Sequence, residues 1–501
     1  MTKTLEAVNG VVWGIPALVL ILGVGIYLSL RTGFIQLIFF PKALKAFCAR
    51  FRKKDEEDGV SPFRALCTAL AATVGTGNIA GVAGAIALGG PGAVFWMWLS
   101  AAVGMVTKFA EATLAVRYRS RTRQGEFVGG PMHMIRKGLP KKFWWLAYVY
   151  SFFGVVAAFG VGNATQVNAM ITGLNEALPL FGIEATQTGN LVMGILLAVI
   201  IGAMLLGGAK RIGAVAEGLV PAASLLYTLL CMGVLIRNTD QIPSAFQAIL
   251  KSALCPEAFT GGMLGSWIRS MRVGVSRGVF TNEAGMGTAS IAHAGAEVEH
   301  PVEQGLMGIM EVFLDTIVIC TMTALAILCS GVSVPYGTDP GAELTVSAFA
   351  SVYGPWVKAV IALFLGCFAF ATVLGWGLYG IRCAQFLFGN GVWRKFVILQ
   401  AGAVVLGAVL NTRIVWLLSE TVNGLMAIPN LIALAALSPE LFRLIREYRN
   451  QPGRRSANGG TYEYFHQRKP LRTLSYAEIP SPGGGREAEG KEDLSSEHRS
   501  A

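Results

Sequence analysis

The sequence predicts an all-α polytopic membrane protein with about eleven transmembrane helices. Hydrophobic residues make up 53% of the chain and charged residues only 14%, and the mean hydropathy is +0.54. A soluble domain carries charge on about 25% of its residues. Apolar segments long enough to cross about 30 Å of hydrocarbon recur along the chain. Two of these segments are interrupted at mid-length by glycine, which a simple spanning helix does not need.

The candidate spans are residues 11–30, 62–88, 92–116, 143–173, 190–208, 213–236, 273–290, 304–329, 355–388, 396–411 and 413–437. The first has no basic region before it beyond Lys3 and no small-residue cleavage site after it. It therefore predicts a span rather than a removable signal peptide. Residues 240–268, between the sixth and seventh spans, are mixed in polarity and predict an external amphipathic helix or lid.

The two interruptions are the most specific feature of the chain. They occupy residues 71–81 (AATVGTGNIAG) and 278–287 (GVFTNEAGMG). Hydrocarbon offers the backbone no partners, so a broken helix is tolerated only where its freed N–H and carbonyl groups line a polar cavity. Two broken helices in corresponding halves are typical of secondary transporters built from inverted repeats, with the binding site between the breaks. The pattern predicts an ion-coupled carrier of a small solute.

The basic residues predict the topology. They cluster in the loops that follow the first, third, fifth and ninth spans, as in residues 31–64 and 117–142. The loop 174–189 carries Glu176 and Glu184 and no Lys or Arg. Because Lys and Arg stay on the cytoplasmic side, the N-terminus is expected outside the cell (plasma or inner) membrane and the C-terminus in the cytoplasm. The same distribution accounts for the net charge of +11 without a nucleic-acid partner.

The chain divides into a transmembrane domain, residues 1–440, and a polar tail, residues 441–501. The tail contains the run 480–485, which reads PSPGGG, and the charged run 486–493. Low hydrophobicity with mixed charge cannot bury enough surface to order a domain. We therefore expect a disordered cytoplasmic tail.

Other function classes find little support in the sequence. Eight cysteines occur without a CxxC or Cys/His spacing, which disfavours zinc and a disulfide framework. An intramembrane enzyme would need an activated nucleophile or a metal set at membrane depth, such as a His-Glu-x-x-His motif, and none of the five histidines is at ligand spacing. Nothing resembles the repeated selectivity filter of a channel. The protein is therefore not expected to be an enzyme.

Several segments together resemble one family. They are residues 75–83, 129–132, 162–168, 278–287, 300–305, 312–316 and 372–376. In this order, over residues 10–440, they resemble the alanine/glycine:cation (sodium:alanine) symporter family. The resemblance implies one extra N-terminal helix and then a LeuT-type five-plus-five inverted repeat, in which spans two and seven are the discontinuous helices. The chain departs from the family at Ile381, where an acid is common, which affects gating more than substrate class.

A zwitterionic amino acid needs donors for its carboxylate and acceptors for its ammonium group. The N–H groups of Thr76 and Gly77 at the first break suit the carboxylate, because a half-helix N-terminus carries a positive dipole end. Carbonyls released around Phe280 and Thr281 at the second break suit the ammonium group. The family resemblance implies the same places.

Two further side chains are candidates for the pocket. Gln166 lies in a polar run of the fourth span, and the resemblance implies that it contacts the substrate; an interhelical hydrogen bond is the alternative. Trp376 is expected to close the cavity over the substrate's side chain; an anchor at the membrane interface is the alternative. With Phe280, these groups leave room for the side chain of glycine, alanine or, at most, serine.

Sodium is a hard cation that prefers several oxygen ligands, which a broken helix and its Asn and Thr side chains supply. The resemblance to the LeuT-type arrangement implies two sodium sites, one from the carbonyl of Thr73 with Asn78 and Thr281, the other from the carbonyls of Ala71 and Val74 with Thr372. The alternative for Thr372 is a hydrogen bond back to its own helix.

Acidic residues within the spans raise proton coupling as an alternative, because such residues are rare in lipid and tend to be paired or functional. Glu111 and Glu217 lie near span ends and are expected to be structural, whereas Glu283 and Asp315 lie deeper. The Asn, Thr and carbonyl groups of the first break favour sodium. The sequence thus predicts import of a small neutral amino acid with sodium. It leaves open the choice among alanine, glycine and serine, the stoichiometry and the oligomeric state.

Overall fold

The structure is a computed structural model of the chain. It describes residues 8–10, 12–50, 60–122, 125–254, 267–338, 341–410 and 412–450. The predicted tail from residue 451 onward lies outside the described residues, as do residues 255–266 of the predicted external segment.

The described residues are almost entirely helical. Up to residue 177 the helices are α1 (Ile15–Thr32), α2 (Ile35–Ile38), α3 (Phe40–Arg50), α4 (Pro62–Thr73), α5 (Ala80–Gly89), α6 (Gly92–Arg117), α7 (Pro131–Gly138), α8 (Trp145–Phe159) and α9 (Thr165–Ala177). The later helices are α10 (Gln187–Leu205), α11 (Gly208–Arg237), α12 (Ile242–Leu254), α13 (Trp267–Asn282), α14 (Ala289–His293), α15 (Pro301–Val312), α16 (Thr321–Cys329), α17 (Glu343–Tyr353), α18 (Val357–Phe388), α19 (Trp393–Val409) and α20 (Thr412–Arg449). Strands β1 (Ser120–Arg121) and β2 (Phe127–Val128) form an antiparallel hairpin with Ser120 opposite Val128.

Among the described residues, two spans contain a segment of π-helix. Gly160–Ala164 joins α8 to α9, and Phe313–Cys320 joins α15 to α16. In such a segment each N–H bonds five residues back instead of four, and π-segments of this kind are frequent at functional sites. Both segments carry candidate functional side chains or lie directly beside them.

Eight helical stretches in the described residues are long and apolar enough to cross a membrane. They contain α6, α8 with α9, α10, α11, α15 with α16, α18, α19 and α20. Three predicted spans are missing from that count because α1 is short, and because α4–α5 and α13–α14 are each divided by a break. The prediction of an all-helical polytopic membrane protein with two discontinuous helices is confirmed.

Local sequence signals explain where helices begin and end. Helix α4 begins after Ser61, whose hydroxyl accepts a hydrogen bond from the N–H of Arg64 at 3.1 Å, and Pro62 occupies its first turn. Helix α1 ends at Gly33, which has a φ of 68° and donates its N–H to the carbonyl of Leu30. A left-handed residue at this position is the usual helix stop, and glycine adopts it without strain.

Glycine lets the central helices approach closely. A Cβ on Gly308 of α15 would lie 2.9 Å from the carbonyl oxygen of Lys108 in α6. A Cβ on Gly375 of α18 would lie 3.0 Å from the backbone nitrogen of Ala72 in α4. Neither space admits a side chain, and small residues at such crossings are typical of membrane bundles. The contacts bring α6 against α15, and α18 against the end of α4 that precedes the first break.

Short helices lie between the spans. Helices α2 and α3 in the first basic loop, α7 and α17 were not predicted. Helix α12 occupies the described part of the predicted external segment, and it buries Ala245 and Ile249 in a cluster with Val94 and Met97 of α6. One face of α12 is therefore packed and the other is not, which is the amphipathic helix expected there.

The last helix corrects the predicted boundary between the two parts of the chain. Helix α20 continues past residue 440 to Arg449, with Leu441 and Leu444 buried. Glu440 accepts a hydrogen bond from Nε of Arg117 at 2.7 Å, which ties this end of α20 to α6. Residues 441–449 are therefore part of the helical domain, because the apolar face of α20 extends beyond its hydrophobic stretch.

Candidate functional site

The first break interrupts the backbone hydrogen bonds between α4 and α5. The N–H of Gly75 bonds to Oδ1 of Asn78 at 2.9 Å, and the N–H of Thr76 bonds to Oε1 of Gln166 at 3.3 Å. In a continuous α-helix, each N–H bonds to the carbonyl four residues earlier, so the Gly75 N–H would reach Ala71. The carbonyl of Ala71 is thus released from its helical partner.

The second break owes its shape to left-handed backbone. Between α13 and α14, Glu283 has a φ of 54°, Gly285 of 94° and Gly287 of 78°. Glycine adopts such values freely, whereas Glu283 carries a side chain and is disfavoured there. Glu283 and Phe34 are the non-glycine residues with positive φ among those the structure describes.

The second break also interrupts the backbone hydrogen bonds of its helix. The N–H of Ala284 bonds to Oδ1 of Asn282 at 2.9 Å, and the N–H of Gly285 bonds to Oε1 of Glu111 at 3.0 Å. A continuous helix would direct these N–H groups at the carbonyls of Phe280 and Thr281. The polar edge of the second break therefore begins at the two residues singled out in the sequence.

The two breaks are in contact. A Cβ on Gly77 would lie 3.1 Å from Cγ2 of Thr281 and 3.5 Å from Cδ1 of Phe280. A Cβ on Gly75 would lie 2.7 Å from Oγ1 of Thr372. Gly77 thus packs against α13 and Gly75 against α18. An alanine at either position would clash with the helix that packs on it.

Gln166 joins α9 to the first break. Its Oε1 accepts from the hydroxyl of Thr76 at 2.9 Å as well as from the Thr76 N–H, and its Nε2 donates to the carbonyl of Val161 at 3.1 Å. The Val161 carbonyl lies in the π segment between α8 and α9. The side chain therefore makes interhelical hydrogen bonds at the same place where the sequence predicts substrate contact, and the Thr76 N–H expected to be free is bonded to it.

Trp376 lies in the interior of the bundle, with 1% of its surface exposed. Its Nε1 donates to Oε1 of Glu283 at 2.8 Å, and its ring meets that of Tyr379 edge-on with centroids 5.8 Å apart. A Cβ on Gly162 would overlap Trp376, so the indole packs directly against the backbone of this glycine. The burial excludes the alternative of an anchor at the membrane interface.

The first expected sodium site lies beside a buried carboxylate. Asn78 donates from Nδ2 to Oδ1 of Asp315 at 2.7 Å, and Thr316 donates to Oδ2 of Asp315 at 2.8 Å. The hydroxyl of Thr281 lies 3.5 Å from that of Thr316. The carbonyl of Thr73 belongs to the last turn of α4, directly before the break. The structure brings Asn78 and Thr281 together around Asp315, which the sequence had indicated only as a proton-coupling candidate.

The second expected sodium site lies where α18 crosses α4. The N–H of Asn78 bonds to the carbonyl of Gly75 at 3.3 Å, so the carbonyl of Val74 loses that partner, as the carbonyl of Ala71 does. The hydroxyl of Thr372 bonds back to the carbonyl of Phe368 at 2.9 Å, which is the alternative considered for it. That hydroxyl nevertheless faces the break at Gly75.

Buried charged side chains of the spans form a network beside the second break. Lys108 lies 3.2 Å from Glu311, whose other oxygen lies 2.8 Å from Nε2 of His293, and all three side chains are fully buried. Glu111 accepts hydrogen bonds at Oε1 from the N–H groups of Gly285 and Gly287, both at 3.0 Å. Glu111 was expected to be structural, and its carboxylate holds the left-handed turns of the second break.

The candidate pocket residues are all enclosed. Phe280 is 7% exposed, Gln166 3%, and Thr76, Thr281 and Trp376 1% or less. Within the described residues, no cluster of His, Cys, Asp or Glu side chains is arranged to hold a metal. Neutral oxygens with a single carboxylate are hard ligands, which suit hard cations better than the metals that thiolate and imidazole ligands bind.

Two interrupted helices with their breaks in contact, set in a membrane bundle around an enclosed polar centre, define a secondary transporter. The chain belongs to the sodium:alanine symporter family, whose profile matches residues 1–460. It is 43% identical over 439 residues to the sodium/alanine symporter AgcS of Methanococcus maripaludis, covering 86% of this chain and 94% of that protein. It is 36% identical over 447 residues to the probable sodium/glutamine symporter GlnT of Bacillus subtilis, covering 88% and 90%.

The fold has a counterpart among solved structures. MhsT, solved in complex with L-phenylalanine, is similar with a TM-score of 0.55 and 15% identity, over 76% of this chain and 90% of MhsT. At that identity the likeness shows the LeuT-type fold and nothing about the substrate. The family match makes the protein a sodium-coupled amino-acid symporter rather than an enzyme.

Proposed function

We propose that the protein carries a small neutral amino acid, alanine or glycine with serine as the upper limit, into the cell together with sodium. The observation that carries the proposal is the contact of the two breaks at Gly77, 3.1 Å and 3.5 Å from Thr281 and Phe280 as measured from a Cβ built on the glycine. The first break, with its N–H groups, thus packs against the residues whose carbonyls lie at the end of the half-helix before the second break. A zwitterion needs that pairing of opposite ends.

The substrate's carboxylate binds at the first break. Oε1 of Gln166 accepts from both the N–H and the hydroxyl of Thr76, at 3.3 Å and 2.9 Å. These are the two donors that a carboxylate requires, and an amide oxygen stands in for one of its oxygens. On binding, the carboxylate takes over the donors of Thr76 with the N–H of Gly77, and Gln166 turns its amide N–H₂ toward the ligand.

The ammonium group binds at the second break. The N–H groups of Ala284 and Gly285, which a continuous helix would direct at the carbonyls of Phe280 and Thr281, bond to the side chains of Asn282 and Glu111 instead. Carbonyls at a half-helix C-terminus carry a partial negative charge that suits a cation.

The side chain of the substrate meets Phe280 and Trp376. Trp376 is held between Gly162 and Tyr379, so it has little freedom to move aside. A larger side chain would overpack the site at a cost of about 1–3 kcal/mol, and about 1.4 kcal/mol weakens binding tenfold. Alanine and glycine fit this size, whereas leucine does not.

Asp315 supports sodium as the coupling ion. The carboxylate is fully buried, and its hydrogen bonds from Asn78 and Thr316 come from neutral groups. A charge at membrane depth needs a counter-charge, and the hydroxyl oxygens of Thr281 and Thr316 beside the carboxylate are suitable ligands for a cation. Proton coupling through Asp315 or Glu283 is the competing mechanism, and it predicts a different driving gradient.

The protein is placed in the plasma or inner membrane, with the N-terminus outside and the C-terminus in the cytoplasm. The support is the distribution of basic loops together with an odd number of spans. In this orientation α4 and α14 lie on the cytoplasmic side of the breaks, and α5 and α13 on the outer side.

Uptake of radiolabelled alanine into proteoliposomes tests the proposal. We expect saturable uptake that an inward sodium gradient drives and that choline does not replace. Glycine and serine are expected to compete, and leucine, lysine, glutamate and glutamine are not. Uptake that persists in choline but is lost when the proton gradient is collapsed would contradict sodium coupling. Equal competition by leucine or glutamine would contradict the assigned pocket.

A further inference from the structure

Glu283 connects the second break to the wall of the candidate pocket. We propose that Glu283 is a positioning residue, which holds the Trp376 indole in place and thereby determines the largest side chain that the transporter accepts. The inference rests on the proposed function, because it takes Trp376 as the group that faces the substrate's side chain.

The backbone at Glu283 is the first reason. Its φ of 54° is in the left-handed region, which a residue with a side chain rarely adopts. Glycine occupies the next two left-handed positions of the same break, at Gly285 and Gly287. A disfavoured conformation persists only where the surroundings require it, and such residues cluster at functional sites. The glutamate at this position therefore indicates that its side chain is needed.

The carboxylate uses both of its oxygens. Oε1 accepts from Nε1 of Trp376 at 2.8 Å, and Oε2 accepts from the hydroxyl of Thr288 at 2.5 Å. Trp376 lies on α18, whereas Thr288 directly precedes α14. The side chain is 2% exposed, so water does not compete for these bonds. Glu283 thus fixes the indole relative to the start of the half-helix that follows the break.

The hydrogen bond to Glu283 determines the rotation of the Trp376 indole, because the other contacts of the ring do not. One face of the ring abuts Gly162, and its edge meets Tyr379 with centroids 5.8 Å apart. These contacts limit where the ring lies, and neither of them satisfies its N–H group. A buried N–H without an acceptor is costly, so loss of Glu283 would drive the indole toward another arrangement. The pocket would then lose its present size limit.

The same segment carries the other aromatic wall. Phe280 lies in the last turn of α13, three positions before Glu283, and packs on Gly77 of the first break. A movement of this turn shifts Phe280 and the acceptor of Trp376 together. The two aromatic walls are therefore coupled through Glu283 even though they belong to different helices.

Two substitutions separate the hydrogen bond from the backbone. Glu283→Gly removes the side chain and suits the left-handed backbone, so the break keeps its shape. Glu283→Gln keeps an oxygen for the Trp376 N–H and an amide for the Thr288 hydroxyl, while it removes the charge. Asp240→Asn, at an exposed acid between α11 and α12, is the matched control for loss of a carboxylate.

The measurement is the ratio of the inhibition constants of leucine and alanine in alanine uptake, with sodium saturating. We expect Glu283→Gly to improve leucine relative to alanine by about tenfold, the scale of one changed contact in an apolar pocket. Glu283→Gln and Asp240→Asn are expected to keep the wild-type ratio. Trp376→Phe is expected to shift the ratio in the same direction, and the double variant Glu283→Gly/Trp376→Phe is expected to add little to it.

If a variant binds amino acids without transporting them, thermal shifts of the purified protein over titrations of alanine and of leucine give the ratio of the two affinities instead. An unchanged ratio in Glu283→Gly, or additive effects in the double variant, would overturn the inference and leave the proposed function intact. A shift in Glu283→Gln as large as in Glu283→Gly would also overturn it, because the charge rather than the acceptor would be required. A wild-type protein that binds neither amino acid would refute the proposed function and the inference with it.

Discussion

Asn78 donates from its side-chain amide to Oδ1 of Asp315 at 2.7 Å, although 237 positions separate the two residues along the chain. The bond joins the first break to the π segment between α15 and α16. Asp315 is fully buried, and its second oxygen accepts from Thr316 at 2.8 Å. A buried carboxylate that accepts from the Asn78 amide and the Thr316 hydroxyl therefore lies in contact with the first break.

Neutralising Asp315 should weaken sodium activation. We expect Asp315→Asn to raise the sodium concentration for half-maximal alanine uptake by about tenfold, because ligand charge tunes the affinity of an oxygen site for a cation. Uptake by wild type and variant is measured over a sodium titration at saturating alanine. Asp240→Asn, at an exposed position, is the control and is expected to match wild type. An unchanged sodium dependence together with loss of proton-driven uptake would assign Asp315 to protons.

Thr372 should contribute through its hydroxyl. The oxygen faces Gly75 of the first break while it donates to the carbonyl of Phe368 at 2.9 Å, so its lone pairs are available to a cation. We expect Thr372→Val to weaken sodium activation and Thr372→Ser to retain it, because valine keeps the shape of threonine and serine keeps its oxygen. A sodium titration of both variants is the measurement. Equal behaviour of the two would show that the hydroxyl serves only its own helix.

The Lys108–Glu311 pair should be essential to stability. Its atoms lie 3.2 Å apart with both side chains fully buried. Removing one partner of a buried pair costs about 3–5 kcal/mol, because the other charge is left uncompensated. We expect this loss for Lys108→Met, measured as the free energy of unfolding in mixed detergent micelles. Lys358→Met, which breaks a half-exposed pair at 3.8 Å with Glu176, is expected to cost about 1 kcal/mol or less. Similar losses for the two would contradict the assignment.

The basic loops should face the cytoplasm. Arg121 in the β1–β2 hairpin and Glu184 between α9 and α10 are both exposed, so a cysteine at either position is open to a reagent. We expect a membrane-impermeant thiol reagent to label Glu184→Cys in intact cells and Arg121→Cys only after the cells are opened. The background lacks the native cysteines, since Cys48 is exposed. Labelling of Arg121→Cys from outside would show that the predicted orientation is wrong.

The C-terminal tail should be dispensable up to the end of α20. Truncation after residue 450 keeps the whole helix and is expected to leave alanine uptake nearly intact. Truncation after residue 440 removes Leu441, Leu444 and Ile445, which are buried, and is expected to lower the amount of folded protein. The two truncations are compared by uptake normalised to folded transporter. A large loss of uptake after truncation at residue 450 would contradict this prediction and indicate a regulatory role for the tail.

Sequence patterns predicted the helices and breaks of this protein better than the contacts between residues that are distant in the chain. Eleven apolar segments, two glycine-rich breaks and the polar run around Gln166 are local features, and local features are visible in one sequence. The extent of α20 was not, because the apolar residues of its last turns alternate with charged ones and are buried only by other helices. The same limit applies to the Asn78–Asp315 bond.

Acidic residues in the spans illustrate the difference. Glu283 and Asp315 stood out because acids are rare at membrane depth. Their roles depend on Trp376 and Asn78, which lie 93 and 237 positions away. The sequence likewise indicated the Thr76 N–H as a free donor, whereas Gln166, 90 positions away, already accepts from it.

The π segments have a consequence for how the chain tolerates insertion and deletion. A π turn holds one residue more than an α turn, so α8 and α9 present faces that a uniform helix over the same residues would not align. Inserting one residue into α8 as regular α-helix, with no wider turn to absorb it, would rotate all of α9 by about 100°. Gln166 would then point away from Thr76 although every side chain of the site is still present. In this span the number of residues, as much as their identity, is part of the binding site.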